Sequence, residues 1–363
     1  MGERTAALEN LGMTDFWKDR RVLVTGHTGF KGSWLSLWLT KMGADVYGLA
    51  LAPDTDPNLF DLMNLETRLD HGLGDIRDGP TVLRRVEQVR PEVVFHLAAQ
   101  SLVLRSYEAP VETWQTNVGG TLHLLDALRQ GGRSATVIVI TTDKVYENRE
   151  WEYPYRETDP LGGHDLYSSS KAATEILVQS WRDSYAAEGK LRLATARAGN
   201  VIGGGDYSEN RIVPDIIRAL EAGKTIDVRN PSAVRPWQHV LEPLSGYLRL
   251  AEMLHGDSAH DRAYNFGPAA DNLRTVMDLA KRALDAWPGA AADQWRDVSD
   301  TKAPHEAGLL AVASDLARQH LGWSAQWPFE IAVDQTIGWY HAVRNGASPL
   351  DISLAQIADF EAG

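Results

Sequence analysis

The sequence predicts a doubly wound α/β fold: one parallel sheet covered by helices on both faces, with a smaller, mostly C-terminal α/β part attached. Three observations carry this. Short apolar runs alternate with helical stretches at βαβ spacing. The runs lack polar alternation, as strands covered on both faces do. A glycine cluster follows the first run directly and opens the first helical stretch.

Taken in order, strands are expected at 21–25, 44–49, 93–97, 136–140 and 191–196, and helices near 31–42, 80–90, 112–130, 168–187 and 212–222. Residues 1–15 read as an extension and 16–200 as the sheet domain. Gly203-Gly204-Gly205 then breaks the rhythm. Residues 201–345 read as the smaller part, with chain returning to the sheet near 225–265. Residues 346–363 read as a tail whose last ten suggest a short helix.

Bulk properties exclude several functions. A net charge of -13 over 363 residues disfavours nucleic acid and anionic membrane, both of which need basic surfaces. The chain has no cysteine, which removes disulfides, thiolate nucleophiles and cysteine-ligated metals together. Its eleven histidines are scattered, none at the i, i+4 spacing of a zinc protease, so no metal is expected. The first fifteen residues contain acids and no apolar core, and no run of about 18 apolar residues exists. The expectation is a soluble cytoplasmic protein.

The stretch VLVTGHTGFKGSWL places Gly26, Gly29 and Gly32 between a strand and a helix. The first glycine permits a tight turn, the second lets a pyrophosphate approach the backbone, and the third packs helix on strand. The helix N-terminus adds free N–H groups and positive potential. This is a Rossmann-type dinucleotide site and not a P-loop, since Lys31 precedes Gly32 and Ser33. An acid about 20 residues on should hold the adenine ribose. Leu51, Ala52 and Pro53 stand there, with Asp54 and Asp56 slightly beyond, so NAD and NADP stay open on these residues.

Tyr167 and Lys171 in DLYSSSKAATE share one helix face. A phenol has a reference pKa of about 10, and a nearby ammonium favours its phenolate. Such a tyrosine takes a proton from an alcohol while a hydride leaves the same carbon. Upstream, an apolar run delivers Thr141, Thr142, Asp143 and Lys144 to a strand end. A solvated ion pair at that end would also account for the last two.

These motifs, with GDIRD (74–78), HLAAQ (96–100) and RPWQHV (235–240), resemble the extended short-chain dehydrogenase/reductases that act on nucleotide sugars, from Phe16 to Trp339. Within them, TGHTGFKGSW, TTDKVYENREW, LGGHDLYSSSK, ARAGNVIGGGD and VRPWQHVLEPL resemble the 4,6-dehydratases, those of CDP-glucose above all. The resemblance implies NAD as cofactor, with Gly26, Thr28, Gly29, Phe30 and Gly32 at its pyrophosphate. It puts Asp75 and Ile76 at adenine, and Leu97, Ala98 and Ala99 along its path. Thr142, Tyr167 and Lys171 would form the hydride-transfer set, Lys171 also meeting the nicotinamide ribose.

For the substrate, CDP-glucose or a related nucleotide sugar, the implied contacts are Gln100, Asn200, Arg211, Arg235 and His239. Arginine forks suit diphosphate oxygens. His239 is expected to pack under its loop, and Trp237 or Tyr207 to stack on the base. A 4,6-dehydratase also needs an acid and a base for losing water across C5–C6, and Asp143 with Lys144 would supply them. Lys144 stands where dTDP-glucose dehydratases resemble Thr-Asp-Glu. A tight Asp143–Lys144 ion pair would oppose both roles, so the two are expected not to pair. Helices 80–130 and 168–187 would build a homodimer or a dimer of dimers. Two other readings share the loop and the Tyr/Lys pair: a 4-epimerase, which needs no C5 base or C6 acid, and a non-catalytic dinucleotide-binding protein.

Overall fold

The structure is a computed structural model that describes residues 13–185, 189–269, 272–300 and 308–363. Residues 1–12 of the expected extension and 186–187 of the fourth expected helix lie outside them. In chain order the main elements are β1 (Arg21–Thr25), α1 (Phe30–Lys41), β2 (Asp45–Leu49), α2 (Gly79–Val89), β3 (Val93–His96), α3 (Gly120–Gln130), β4 (Ala135–Ile140), α4 (Leu166–Tyr185), β5 (Leu191–Arg197), α5 (Ile212–Glu221), α6 (Leu241–Gly256), β6 (Ala263–Asn265), α7 (Val276–Ala286), α8 (Phe329–Arg344) and α9 (Pro349–Glu361).

Six strands form one sheet in the order β6-β5-β4-β3-β1-β2, and every pairing is parallel. All six residues of β4 are buried, which is why its run of Val137, Ile138, Val139 and Ile140 needs no polar partner face. Beyond β2, residues 70–73 extend the sheet by two parallel bridges, Tyr47 to Asp70 and Ala50 to Leu73. Arg85 donates to the Gly48 carbonyl at 3.0 Å and to the Asp70 carbonyl at 2.7 Å, filling acceptors there with a side chain. Strand order reverses between β1 and β3, and the carboxyl ends flanking such a point are where open α/β sheets take ligands.

Trp34 and Trp38, four apart on α1, are fully buried, and their indole nitrogens donate to the Gly204 carbonyl and to Glu361 on α9. The segment 349–363 therefore continues into a packed helix. The expected helix at 112–130 is interrupted: Pro110–Trp114 is helical, Gln115–Gly119 forms a π turn, and α3 follows. The π turn swings Asn117 toward its neighbours. Its side chain bonds both the amide and the carbonyl of Gln100, and Ser170 Oγ, while its carbonyl accepts from Thr121 and Thr174. Across the sheet, α6 packs against β4 and β5 before the chain returns as β6.

Candidate active site

The glycine loop has the shape its spacing requires. Gly26 sits at φ +75, and a Cβ there would lie 2.7 Å from the Ala98 nitrogen. One on Gly32 would lie 2.1 Å from the Gly26 carbonyl oxygen, so helix and turn touch backbone to backbone. A Cβ on Gly29 would meet only that same oxygen, at 3.4 Å, which leaves an open cradle. Gly29 is the N-cap of α1 and no side chain caps it, so the first N–H groups remain for an anion. These features fit a dinucleotide pyrophosphate. Leu97 and Ala98 line the next strand end, their amides donating to the Thr25 carbonyl and hydroxyl.

Other cofactor-side residues are tied within the protein. Thr28 donates its hydroxyl to the Leu51 carbonyl at 2.9 Å, holding the loop that follows β2. Asp75 is bonded by Arg77, whose guanidinium holds the carboxyl below its usual range. Ile76 is buried against Gly120.

At the end of β4 the chain turns, and Thr142 accepts from the Lys144 amide at 3.4 Å. Its hydroxyl donates to Asp143 Oδ1 at 3.0 Å. Asp143 is 1% exposed and its second oxygen, Oδ2, is buried with no partner. Lys144 is half-buried, and no Asp143–Lys144 ion pair forms among the described residues. Thr142 also lies beside Tyr167. Burial lifts that phenol to about 12, with Asp143 adding to the rise while Thr142 and Arg211 oppose it. Lys171 donates to the Ile140 carbonyl at 3.0 Å, and burial, helped by Lys31, lowers it to about 8.

Arg211 reaches the same place, bonding Asp206 at 2.9 Å and Ser101 Oγ at 3.0 Å. Lys31 was used in the sequence only to exclude a P-loop. In the fold it stands half-buried in the first turn of α1, and burial and Arg211 lower it to about 8 while Asp143 and Asp206 pull the other way. Its place beside the glycines was the available signal. Thus Lys31, Asp143, Tyr167, Lys171, Asp206 and Arg211 form one mutually charged cluster.

The remaining expected substrate residues divide. Asn200 adopts φ 51, a conformation asparagine tolerates, and its Oδ1 is buried without a partner. Arg235 donates to the Val234 and Gly308 carbonyls. Gln100 spends its amide on Leu102 and Thr113. His239, expected both among the substrate contacts and packed under its loop, lies in the packed position. It is 0% exposed, wedged edge-on against Trp34 and tilted against Trp327, and burial lowers it to about 3, which keeps it neutral. Trp237 is likewise sunk, its indole donating to the Arg274 carbonyl.

A family model described as GDP-mannose 4,6 dehydratase matches residues 23–336. The CDP-glucose 4,6-dehydratase of Salmonella typhimurium is 43% identical over 352 residues, covering 95% of this chain and 97% of that protein. Among solved structures, the dTDP-glucose 4,6-dehydratase DesIV of Streptomyces venezuelae, with NAD and a TDP ligand bound, is 25% identical at a TM-score of 0.77, covering 91% of this chain and 99% of that one. A UDP-glucose 4-epimerase of Thermotoga maritima, 22% identical over 89% of this chain and 99% of its own with a TM-score of 0.74, shares the fold.

Proposed function

The chain belongs to the GDP-mannose 4,6-dehydratase family, and from that premise we propose that it is an NAD-dependent hydro-lyase that converts CDP-glucose to CDP-4-keto-6-deoxyglucose and water. The observation that carries the reading is the unpaired Asp143 and Lys144 on one turn beside Tyr167 and Lys171. Oxidation alone needs only the latter two.

Gly26, Gly29, Phe30 and Gly32 would hold the pyrophosphate of NAD, Asp75 and Ile76 its adenine, and Lys171 its nicotinamide ribose. Bound NAD+ supplies the hydride acceptor for C4 of the sugar and later the donor for C6. The chain's own side chains move the protons. Tyr167 removes the C4 hydroxyl proton, which requires its raised pKa to fall as positive charge gathers beside it. The ketone so formed acidifies the C5 proton; Lys144 takes it and gives it back to C5 when the hydride reaches C6. Asp143 gives its proton to the departing C6 hydroxyl, which leaves as water. Arg211 and Arg235 would grip the diphosphate, with Asn200 beside them.

A 4-epimerase would use the same loop and Tyr/Lys pair, but it has no task for an acid and a base kept apart at 143 and 144. The exposed Val111, Trp114, Leu122 and Ile176, on the helices at 110–130 and α4, support a homodimer through that face. The test is incubation of the purified protein with CDP-, dTDP-, GDP- and UDP-glucose, followed by mass spectrometry. Loss of one water from CDP-glucose in preference to the others is expected. Equal turnover of all four would remove the cytidine assignment, and turnover of none would remove the activity.

A further inference from the structure

The seat of the Asp143 carboxyl is made by a residue 56 positions away. A Cβ on Gly199, which follows β5, would lie 1.9 Å from Oδ2, 2.0 Å from Cγ and 2.1 Å from Oδ1 of Asp143. The carboxyl thus occupies the volume that any side chain at 199 would need. Gly199 does not have a positive φ, so its backbone has no need of glycine. The missing Cβ provides space and nothing else.

Gly199 is pinned from behind. Its carbonyl accepts from Gln238 Nε2 at 3.2 Å, and that nitrogen also reaches the Phe266 carbonyl at 2.9 Å. The Gln238 amide in turn donates to the Asn200 carbonyl at 3.3 Å. Gln238 is 2% exposed, so this backing is part of the core. Of the two parties in a collision, the pinned strand end would stay and the short Asp143 side chain would swing away. Swinging breaks the Thr142 bond to Oδ1 and turns the acid from its bearing.

We infer that Gly199 is a positioning residue for water loss: it seats the Asp143 carboxyl against the end of β5 and so aims it at the departing C6 hydroxyl. This rests on Asp143 being the acid for the C6 hydroxyl. It makes Gly199→Ala a variant that folds, oxidises and stalls. Gly204→Ala is the structural contrast, because a Cβ there would lie 2.1 Å from the Trp339 ring in the core.

The experiment follows two signals in single turnover on CDP-glucose: the near-ultraviolet absorbance of reduced cofactor, and the water-loss product by mass spectrometry. Wild type, D143N, G199A, the double variant and G204A are compared, with thermal midpoints for each. Expected for G199A is water loss slowed by about 10²-fold, as misplacement near 1 Å produces, with reduced cofactor accumulating and a midpoint lowered less than in G204A. D143N should stall in the same way, and adding G199A to it should slow water loss little further, since asparagine keeps the bulk and lacks the proton. G204A should lower the midpoint and depress both signals together.

Multiplying losses in the double variant, or a G199A protein that releases product at the wild-type rate while D143N stalls, would overturn the inference alone. Wild-type water loss by D143N would overturn the acid assignment, and the inference with it. Should G199A fail to fold, G199A combined with Asp143→Ala removes the colliding carboxyl. A restored midpoint supports the seat, and an unrestored one overturns it.

Discussion

Asp143 and Glu175 are both buried carboxylates, at 1% and 4% exposure, yet the protein treats them oppositely. Glu175 accepts from Thr141 at 2.5 Å, Thr195 at 2.7 Å, and Arg197 at 2.9 Å through both Nε and Nη2. Burial would push its pKa up, but the Arg197 charge and these hydroxyls outweigh that and hold it below the usual range. Asp143 accepts one bond, from Thr142, and keeps an oxygen with no partner. Consecutive threonines at the end of β4 thus face two regions: Thr141 anchors the turn to a satisfied network behind it, and Thr142 serves a carboxyl that remains free to act. A buried carboxylate whose lone pairs are filled is a fixed anion and a structural part. One left half-satisfied is available for proton transfer.

The contrast breaks most visibly at Asp143. Asp143→Asn removes an acid proton at nearly constant size and should slow water loss by about 10²–10⁴-fold, with C4 oxidation retained. Stopped-flow absorbance of the reduced cofactor checks this, and a variant that never accumulates it contradicts the division. Tyr167→Phe should lose a similar factor one step earlier, so that no reduced cofactor appears at all.

Glu175→Gln acts on the other region. It leaves Arg197, itself 3% exposed, as an unpaired buried cation, and should cost about 3–5 kcal/mol of stability. Urea titration measures that loss. Oxidation and water loss should fall together as folded protein is lost, and a selective loss of one step would blur the comparison.

The smallest effect concerns Lys171. Because burial, aided by Lys31, lowers its pKa from 10.5 to about 8, the unfolded chain holds one more proton between those values. Stability therefore rises with pH across that window, as the cost of a buried charge is relieved. Wild type should gain about 1–3 kcal/mol relative to Lys171→Met between pH 7 and pH 10, read from urea midpoints of both proteins. A difference independent of pH would remove the assigned shift.

The sheet and its site were legible where the signal is local. The five expected strands lie within a residue of β1 to β5, because a run covered on both faces is apolar throughout. The glycine spacing and the four-residue step from Tyr167 to Lys171 are fixed by one turn and one helix face. Glu175, four residues beyond Lys171 on the same face, was not singled out, because its partners Thr195 and Arg197 lie on another strand. What escaped depends on distant chain. Nothing within ten residues of Gly199 points to Asp143, and nothing beside His239 announces Trp34 and Trp327 on either side of it. The return of the chain near 225–265 was expected as a range, but its elements α6 and β6 were not, since a three-residue strand gains its identity from β5. The π turn at 115–119, where Asn117 bonds Gln100 and Ser170, leaves no mark on the helical pattern of the sequence.

The central claim is that one cleft oxidises C4, expels water across C5–C6 and returns the same hydride to C6. Incubation with CDP-glucose carrying deuterium at C4, followed by mass spectrometry and NMR of the product, tests it most directly. The account predicts loss of one water with the deuterium retained and found at C6. Deuterium lost to solvent, or kept at an inverted C4 with no water lost, would contradict it.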